Sequence, residues 1–364
     1  VGSEMCIRDR CAVGLATPVA LAAGLNKAAR NHILIRDTSA LEQMRNVDVV
    51  VFDKTGTLTE GHPTVIGWLW AQGQEEHYKD VLLAAESTSD HPLAEAIVTA
   101  LEGEEQVIPA HLDGFENITG KGVRVAYQGA EYWVGSHKLL KDYQANLSDI
   151  LADMLTQYES DGNSIVYFGR ENDLLAVIAI KDQLRVTSME AIRELRIQDI
   201  EICMLTGDGE RTASSVAGSL GIMRFVADAM PDDKEDFIHK LQLQGKTVAM
   251  VGDGVNDAQA LSCADVSIAM GKGTDTLMDT AMITLRTSDL LLLPKVFRLS
   301  RQTVSLMYRN LFWAFIYNTV GIFVAAGVLY PVYDILLSPA LAGAAMALSC
   351  VSVALSSLRL SSRF

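Results

Sequence analysis

Four short β-branched runs that stop abruptly at Asp, Thr or Gly constrain the fold of this chain more than any other feature. They are VDVVVF before Asp53, IEICML before Thr206, TVAMV before Gly252 and DVSIAM before Gly271. Helical patterns alternate with these runs, for instance over 187–196 and 232–244. The alternation predicts an α/β fold with a doubly wound parallel sheet, whose functional site lies at the carboxyl ends of the strands.

About 150 residues separate the first of these strands from the second, far more than a βαβ crossover needs. We therefore expect a second domain to be inserted, over about 62–175. This insert contains its own strand-like segments, GVRVAYQG, EYWVG and SIVYFG, and a helical pattern near 92–102. The sequence thus predicts a small α+β module inside the parallel-sheet domain.

Charged and apolar residues occupy different parts of the chain. The 45 acidic and 30 basic side chains leave a formal charge of −15, which argues against binding to nucleic acid through overall charge. Residues 311–330 and 335–358 contain no charged side chain. Each stretch is long enough to cross a hydrocarbon layer of ~30 Å, so we expect two transmembrane helices in 296–364. The alternative is a pair of buried core helices.

Basic residues flank the two uncharged stretches on their outer sides, and the short connection between them has none. By the positive-inside bias, both outer ends of this hairpin face the cytoplasm. The sequence therefore predicts a multi-pass membrane protein, in contact with the lipid bilayer, whose catalytic domains are cytoplasmic. The five cysteines form no even framework, which favours a reduced compartment.

The amino-terminal region has an unusual pattern. Residues 12–25 are uncharged but, at 1.5 Å per residue, reach only ~21 Å, so we expect 11–30 to be a partial transmembrane helix with its cytoplasmic extension. Residues 1–10 (VGSEMCIRDR) place charges where the rest of that helix belongs. We interpret them as a non-native cloning or assembly scar, and the chain as a C-terminal fragment.

The strongest chemical signal is DKTGTLT, which begins at Asp53 directly after a buried strand. A carboxylate at a strand end, followed by a Gly-containing loop, can present an aspartyl nucleophile to a phosphoryl group; the alternative is an ordinary Asp-Gly turn. Thr206-Gly207-Asp208 offers a hydroxyl and a backbone N–H, and Lys234 can neutralise phosphate oxygens. The GDGVND run from Gly252 supplies carboxylates suited to Mg²⁺.

In this order, DKTGTLT, TGD and GDGVND resemble the P-type ATPases of the haloacid-dehalogenase superfamily. CAVGLATP, SDHPL and the YN and MALS elements narrow the resemblance to the heavy-metal-transporting, copper(I)-exporting class. The resemblance implies a phosphorylation domain over 31–61 and 176–295, a nucleotide-binding domain over 62–175, and membrane helices that hold the metal. It also implies ATP as substrate and a copper chaperone as the source of the ion.

By this resemblance, Asp53 attacks the γ-phosphate of ATP, while Lys234 and Thr206 stabilise the phosphoryl oxygens. The carboxylates of Asp53, Asp253 and Asp257 and the carbonyl of Thr55 hold Mg²⁺. The full catalytic set that it implies is Asp53, Lys54, Thr55, Gly56, Thr57, Thr206, Gly207, Asp208, Lys234, Asn256 and Asp257. Soluble phosphatases of the superfamily carry a second Asp where this chain has Thr55, so we expect a persistent acyl phosphate here.

The resemblance also implies an adenine-nucleotide site in the insert. Its residues are His91, Pro92, Glu116, Gly120 and Gly122. On the pattern alone, His91 is an ordinary loop histidine and the glycines mark a turn. The family match is what favours nucleotide binding.

The copper site implied by the resemblance comprises Cys11, Tyr317, Asn318, Met346 and Ser349. Thiolate and thioether ligands suit Cu⁺ or Ag⁺, although simple helix packing is the alternative for Met346. Arg10 precedes Cys11 where the family has Cys-Pro, which is a departure. The predicted function is ATP-driven export of copper(I) through an aspartyl phosphate. The alternative is a membrane-anchored phosphohydrolase of the haloacid-dehalogenase type.

Overall fold

The computed structural model of the chain describes residues 12–71, 75–89, 91–104, 107–145, 149–253, 257–271, 281–325 and 339–362. The packing of the backbone divides the chain into two compact units. One unit is Asp48–Thr280, and the other comprises Val1–Val47 and Ala281–Phe364. Residues 1–11, which contain the predicted scar and Cys11, lie outside the described residues.

The strands are β1 Ile33–Ile35, β2 Val49–Asp53, β3 Thr64–Trp70, β4 Gly114–Ile118, β5 Gly122–Tyr127, β6 Ala130–Gly135, β7 Ser164–Arg170, β8 Asp173–Lys181, β9 Glu201–Leu205, β10 Arg224–Val226, β11 Val248–Gly252, β12 Val266–Met270 and β13 Ile283–Leu285. The helices are α1 Ala12–Arg30, α2 Ser39–Met44, α3 Glu75–Glu86, α4 Pro92–Glu102, α5 His137–Asp142, α6 Asp149–Ser160, α7 Ser188–Ile197, α8 Glu210–Leu220, α9 Pro231–Leu243, α10 Ala258–Cys263, α11 Leu292–Ala325 and α12 Pro339–Ser362.

Within Asp48–Thr280, five strands form a parallel sheet in the order β12-β11-β2-β9-β10. Every residue of β2, β11 and β12 is buried, as their apolar, β-branched sequences require in a sheet covered on both faces. Asp53 pairs with Leu205, and Phe52 pairs with Val251. This register brings the residues that follow three strands to one edge of the sheet, and the predicted parallel α/β fold is confirmed.

The predicted insert forms a second, antiparallel sheet in the order β3-β8-β7-β6-β5-β4. Trp133 and Phe168 are fully buried in its core, and the Trp133 indole donates a 2.9 Å hydrogen bond to the Glu171 carbonyl. The sheet continues to Lys181 at the end of β8, six residues beyond the predicted end of the insert. Its last strand therefore leads directly into the parallel-sheet domain.

The other unit is mainly helical, with α1, α11 and α12 packed together and α2 against α11. A Cβ atom at Gly24 would lie 2.6 Å from Thr303 Oγ1, so this glycine permits the close approach of α1 and α11. Among the described residues, no helix combines the length and the apolar character needed to cross a membrane. The transmembrane helices predicted at about 311–330 and 335–358 are therefore not confirmed. Residues 326–338 lie outside the described ranges.

Candidate active site

Asp53 lies at the carboxyl end of β2, where its side chain is buried and paired with a lysine from α9. The Lys234 ammonium donates to Asp53 Oδ1 at 2.5 Å and to Asp257 Oδ1 at 2.7 Å. Burial opposes the charge on Lys234, but Asp53 and Asp257 outweigh that effect and raise the pKa of Lys234 above its ordinary value. The lysine is therefore a permanent cation, and the two carboxylates share it.

A third carboxylate completes the cluster. One oxygen each of Asp53, Asp253 and Asp257 lies within 4.8 Å of the others. Burial, followed by repulsion from Asp53 and Asp257, raises the pKa of Asp253 to about 7. Three carboxylates with one ammonium leave an excess of negative charge, and the donors are all hard oxygens. This donor set fits the predicted Mg²⁺, which prefers oxygen ligands.

The loop Lys54–Leu58 follows Asp53 and closes over the site. Gly56 adopts a left-handed conformation, with φ +71°, and a Cβ atom there would lie 1.4 Å from Asp253 Oδ2. Only glycine fits this position, because a side chain would be strained and would occupy the place of the carboxylate. Thr55 is half-buried on the same loop.

Side chains from the segment after β8 hold this loop, and the sequence did not predict them. The Arg185 guanidinium donates to the carbonyls of Thr57 and Gly56, the former at 3.0 Å. The Ser188 hydroxyl donates to the Leu58 carbonyl at 2.7 Å. Asp182 lies 2.5 Å from the Thr59 hydroxyl. The sequence signal that could have indicated these residues was KDQLR, a polar run at the end of an apolar strand.

Lys54, Thr206 and Asp208 form a second charged group beside the first. Lys54 pairs with Asp208 and also donates to the Ser164 hydroxyl of the insert at 3.0 Å. The Thr206 hydroxyl donates to Asp208 Oδ2 at 2.8 Å. Burial alone would raise the pKa of Asp208, but the Lys54 ammonium lowers it below its ordinary value. The structure thus brings the predicted Thr206 and Asp208 together, and Gly207 lies between them in the chain.

Thr57 and Asn256 are the remaining predicted catalytic residues. Thr57 is buried, and its hydroxyl has no hydrogen-bond partner among the described residues. Asn256 lies outside the described residues, since 254–256 are not described. A Cβ atom at Gly252 would come within 2.8 Å of Asp257 Oδ2, which explains the glycine at the end of β11.

In the insert, His91 is the N-cap of α4. Its Nδ1 accepts a 3.2 Å hydrogen bond from the Leu93 N–H, and Pro92 occupies the first turn of the helix, where it needs no hydrogen-bond partner for its nitrogen. An imidazole that accepts at Nδ1 is neutral, with its proton on Nε2. Desolvation lowers the pKa of His91; among the charges that act on the ring, Asp208 raises this pKa and Lys54 lowers it.

Gly120 and Gly122 lie at the turn between β4 and β5, both with positive φ. A Cβ atom at Gly122 would lie 2.1 Å from the Val134 carbonyl, so this glycine permits the close approach of β5 and β6. Glu116, which was predicted to join the nucleotide site, is exposed on β4 and pairs there with Arg124. Its position on a paired strand surface explains its charge without a ligand.

Glu86 is a buried carboxyl group that the sequence analysis missed. It ends α3, it is 6% exposed, and its carbonyl accepts from the N–H of Ser89, whose hydroxyl in turn accepts from the His91 N–H. Burial raises the pKa of Glu86 to about 8. No described cation pairs with it, so the group is largely protonated at neutral pH. A single Glu within a helical pattern does not indicate in the sequence that its side chain is buried.

The predicted copper residues are divided between two helices and the undescribed part of the chain. Tyr317 is exposed and Asn318 half-buried on α11, and Ser349 is buried on α12. The Ser349 hydroxyl has no hydrogen-bond partner among the described residues. Cys11 lies outside the described residues, as does the side chain of Met346.

The family model for haloacid dehalogenase-like hydrolases matches residues 47–265, which include the whole carboxylate cluster. The chain belongs to this family. The match begins just before β2 and ends between α10 and β12, so it covers the insert and four of the five strands of the parallel sheet. The aspartate, threonine and lysine of this site thus lie within a fold shared by the family.

Curated relatives extend the similarity over nearly the whole chain. It is 42% identical over 98% of its length to the "Copper-exporting P-type ATPase" of Legionella pneumophila, covering 48% of that protein. It is 43% identical over 99% of its length to the "Silver exporting P-type ATPase" of Salmonella typhimurium, covering 44% of that protein. The chain therefore spans about half the length of these relatives. The resemblance to copper-exporting P-type ATPases is confirmed.

Solved structures give the same family at the level of the backbone. A zinc-transporting PIB-type ATPase in its E2.Pi state matches 96% of this chain and 56% of its own, with a TM-score of 0.66 and 35% identity. The catalytic domain of the CPx-ATPase CopB-B, studied for its changes on nucleotide binding, matches 74% of this chain and 96% of its own. The TM-score is 0.62 and the identity 28%.

Proposed function

We propose that this chain carries the catalytic part of an ATP-driven copper(I) exporter that is phosphorylated on Asp53. The observation that carries the proposal is the position of Asp53, which ends a buried strand with Lys234 at 2.5 Å and two further carboxylates nearby. A nucleophile held in this way meets an incoming phosphoryl group at a fixed place. Phosphoryl transfer depends mainly on such alignment and on charge.

Each neighbouring side chain has a role in this proposal. Lys234 orients the carboxylate of Asp53 and presents positive charge to the phosphoryl oxygens. The Thr206 hydroxyl, now directed at Asp208, is the donor available to a phosphoryl oxygen. Arg185 fixes the carbonyls of the loop that follows Asp53, so that the nucleophile keeps its orientation.

The carboxylates of Asp53, Asp253 and Asp257, with the carbonyl of Thr55, are the groups that we propose to hold Mg²⁺. When bound, the ion supplies positive charge against the phosphate oxygens. Asp253 faces Gly56 across the site, and Asp257 shares Lys234 with the nucleophile. Lys234 therefore offsets part of the negative charge of this cluster before Mg²⁺ is bound.

The insert supplies the adenine-nucleotide site in this proposal, through His91, Pro92, Gly120 and Gly122. The neutral His91 ring has its Nε2–H free of the helix cap, because Nδ1 alone accepts from Leu93. We add Glu86 to these residues, since a buried, protonated carboxyl group can both donate to and accept from the edge of a base. Glu116 stays a weaker candidate because it pairs with Arg124.

Thr55 distinguishes this proposal from the alternative, a membrane-anchored phosphohydrolase. A hydrolase needs a local carboxylate to activate water against the acyl phosphate, and a threonine hydroxyl cannot serve as that base. The phosphorylated state should therefore persist, as a transport cycle requires. The proposed cargo is Cu⁺, with Ag⁺ as its analogue, since the similar proteins are a copper exporter and a silver exporter.

Membrane location, delivery by a copper chaperone and a copper site at Cys11, Tyr317, Asn318, Met346 and Ser349 belong to the same proposal. Soft thiolate and thioether ligands suit a monovalent ion of this kind. The buried Ser349 hydroxyl, which lacks a described partner, supports a ligand at this place in α12.

Substitution of the nucleophile tests phosphorylation. Incubated with Mg²⁺ and γ-phosphate-labelled ATP, the wild-type chain should gain an acid-stable, hydroxylamine-labile label, and Asp53→Asn should gain none because its amide cannot attack. ATP binding should persist in Asp53→Asn. The matched control is Asp199→Asn, an exposed position with φ +62° that asparagine tolerates. Label on Asp53→Asn at the wild-type level would contradict the proposal, and rapid phosphate release without label would favour the phosphohydrolase.

Competition for copper tests the cargo. With a chromogenic Cu⁺ chelator as competitor, Met346→Ala should bind Cu⁺ on the order of tenfold more weakly than the wild-type chain, because a thioether ligand is lost. Met307→Ala, which removes a buried methionine of α11, is the control and should leave the affinity unchanged. Equal loss in both variants, or no loss in either, would reject the site.

A further inference from the structure

A second cluster of metal-ligating side chains lies on the parallel-sheet domain, outside the carboxylate site. Glu235 and His239 are one turn apart on α9, and Cys263 ends α10. Glu235 Oε1 lies 3.4 Å from Cys263 Sγ and 3.6 Å from His239 Nε2. All three candidate ligand atoms lie within 4.8 Å of one another.

We propose that Glu235, His239 and Cys263 bind a single zinc-class divalent cation. Metal–ligand bonds of about 2.0–2.3 Å at tetrahedral angles place the ligand atoms of a zinc site about 3.4–3.6 Å apart. The two separations from Glu235 already lie in this range, and the third, between His239 and Cys263, is no more than 4.8 Å. Three protein ligands leave the fourth position for water.

The chemistry of the donors favours zinc over the other metals that this chain is proposed to bind. One sulfur, one imidazole nitrogen and one carboxylate oxygen form a mixed set of intermediate softness. Mg²⁺ avoids thiolate and imidazole, and Cu⁺ gains little from a carboxylate. Binding converts the Cys263 thiol, which now donates to Glu235, into a thiolate and releases its proton to solvent.

Gln242 supports the cluster from a second position. Its side-chain oxygen lies 3.2 Å from His239 Nδ1, and its side-chain nitrogen donates to the Cys263 carbonyl at 2.9 Å. When Nδ1 of His239 donates to this oxygen, Nε2 is unprotonated and available to the ion. A metal-bound histidine usually donates from its other ring nitrogen in this way. One glutamine thus orients two of the three ligands.

The site is also reachable, since His239 is exposed and Glu235 and Cys263 are half-buried. An ion there would join α9, which carries Lys234, to α10, which follows Asp257. The cluster takes no part in the proposed phosphoryl transfer. Its test is therefore independent of that function.

Cobalt titration of the full chain tests the site. Under reducing conditions, Co²⁺ should produce a thiolate-to-metal charge-transfer band at one equivalent, which carboxylate-bound Co²⁺ at Asp53 cannot give. Zn²⁺ should displace it. Cys263→Ser should abolish the band, and His239→Gln should weaken Zn²⁺ binding on the order of tenfold or more. Gln242→Leu should weaken it roughly 10- to 100-fold, the usual effect of losing an outer-sphere partner. Cys350→Ser, which removes a thiol of α12, is the control and should keep the band.

Circular dichroism of each variant separates a lost ligand from a lost fold. If Cys263→Ser fails to fold, Glu235→Gln provides the test, because this half-exposed side chain keeps its size and loses only its charge. Absence of the band from the wild-type chain would overturn the proposal. So would a band that survives in folded Cys263→Ser, or wild-type Zn²⁺ affinity in His239→Gln and Glu235→Gln.

Discussion

The Asp53 site and the end of α3 at Glu86 both bury carboxyl groups, but only the Asp53 site places cations beside them. At the first, Lys234 lies 2.5 Å from Asp53, and the Lys54 ammonium holds the pKa of the buried Asp208 below its ordinary value. At the second, no described cation faces Glu86, and burial raises its pKa to about 8. The same desolvation therefore gives a charged, reactive site in one domain and a neutral, hydrogen-bonding site in the other.

This difference matches the two tasks that we propose. A nucleophile for phosphoryl transfer must be an anion, and a cation must hold it in place. A pocket for a nucleobase binds ATP better with neutral groups, such as protonated Glu86 and the neutral ring of His91. An anion beside the base would repel the triphosphate. Removing Lys234 from the Asp53 site, or the carboxyl group of Glu86 from the insert, should abolish this difference.

The largest effect should follow the loss of the cation. Lys234→Met leaves Asp53, Asp253 and Asp257 buried together without an ammonium. We expect phosphorylation to disappear and the domain to lose about 3–5 kcal/mol at neutral pH, the usual result of breaking a buried pair. Unpaired carboxylates have raised pKa values in the folded state, so the loss should shrink as the pH falls and they bind protons. Hydrogen exchange at β2 measures it.

Lys240→Met, on the exposed part of the same helix, is the control for this variant. It removes the same charge and adds the same side chain without touching the cluster. If Lys240→Met destabilised β2 as much as Lys234→Met, or if the loss grew as the pH fell, the pairing at Asp53 would not be what keeps the site charged.

An effect of opposite sign, on stability alone, is expected from Glu86→Gln. The folded insert keeps a proton on Glu86 up to a pH of about 8, whereas the unfolded chain loses it near the ordinary pKa of 4.5. Stability should therefore decrease as the pH rises between these values. Glu86→Gln should remove this dependence, with a gain of up to about 5 kcal/mol above the folded pKa and almost none below the unfolded one.

Tryptophan fluorescence can follow the unfolding of the insert, since Trp68, Trp70 and Trp133 all lie there and the parallel-sheet domain has no tryptophan. Glu102→Gln, an exposed change at the end of α4, should keep the wild-type pH dependence. A wild-type insert that became more stable as the pH rose would show that Glu86 is compensated by a cation after all.

The placement of the central carboxylates could be predicted from the sequence, because they lie at the ends of strands whose pattern is local. Asp53 ends β2 and Asp253 directly follows β11, and the parallel register brings them to one sheet edge. Lys234 was predicted from the family resemblance, and its contact with Asp53 spans 181 positions in the sequence. The presence of an inserted module also followed from the distance between the first two strands of the parallel sheet, whereas its antiparallel strand order did not.

The contacts that depend on packing could not be predicted in this way. Lys54 was predicted as part of the catalytic set, but its ion pair with Asp208 and its hydrogen bond to Ser164, 110 positions away, have no signal in the sequence. Glu116 stays a predicted nucleotide ligand, and its pairing with Arg124 of the neighbouring strand has no such signal either. Burial of Glu86 depends on how its helix packs against the insert, which no local pattern records. Membrane helices at 311–330 and 335–358 stay a prediction from composition.

The most direct test of the account is to locate the phosphate itself. After incubation with ATP and Mg²⁺, reduction with borohydride converts an aspartyl phosphate into a homoserine residue, which mass spectrometry of peptides can assign to a position. The account predicts homoserine at position 53, with Asp253 and Asp257 unmodified. Homoserine at position 253 or 257, or hydrolysis of ATP without any modified aspartate, would contradict the claim that paired, buried Asp53 is the nucleophile.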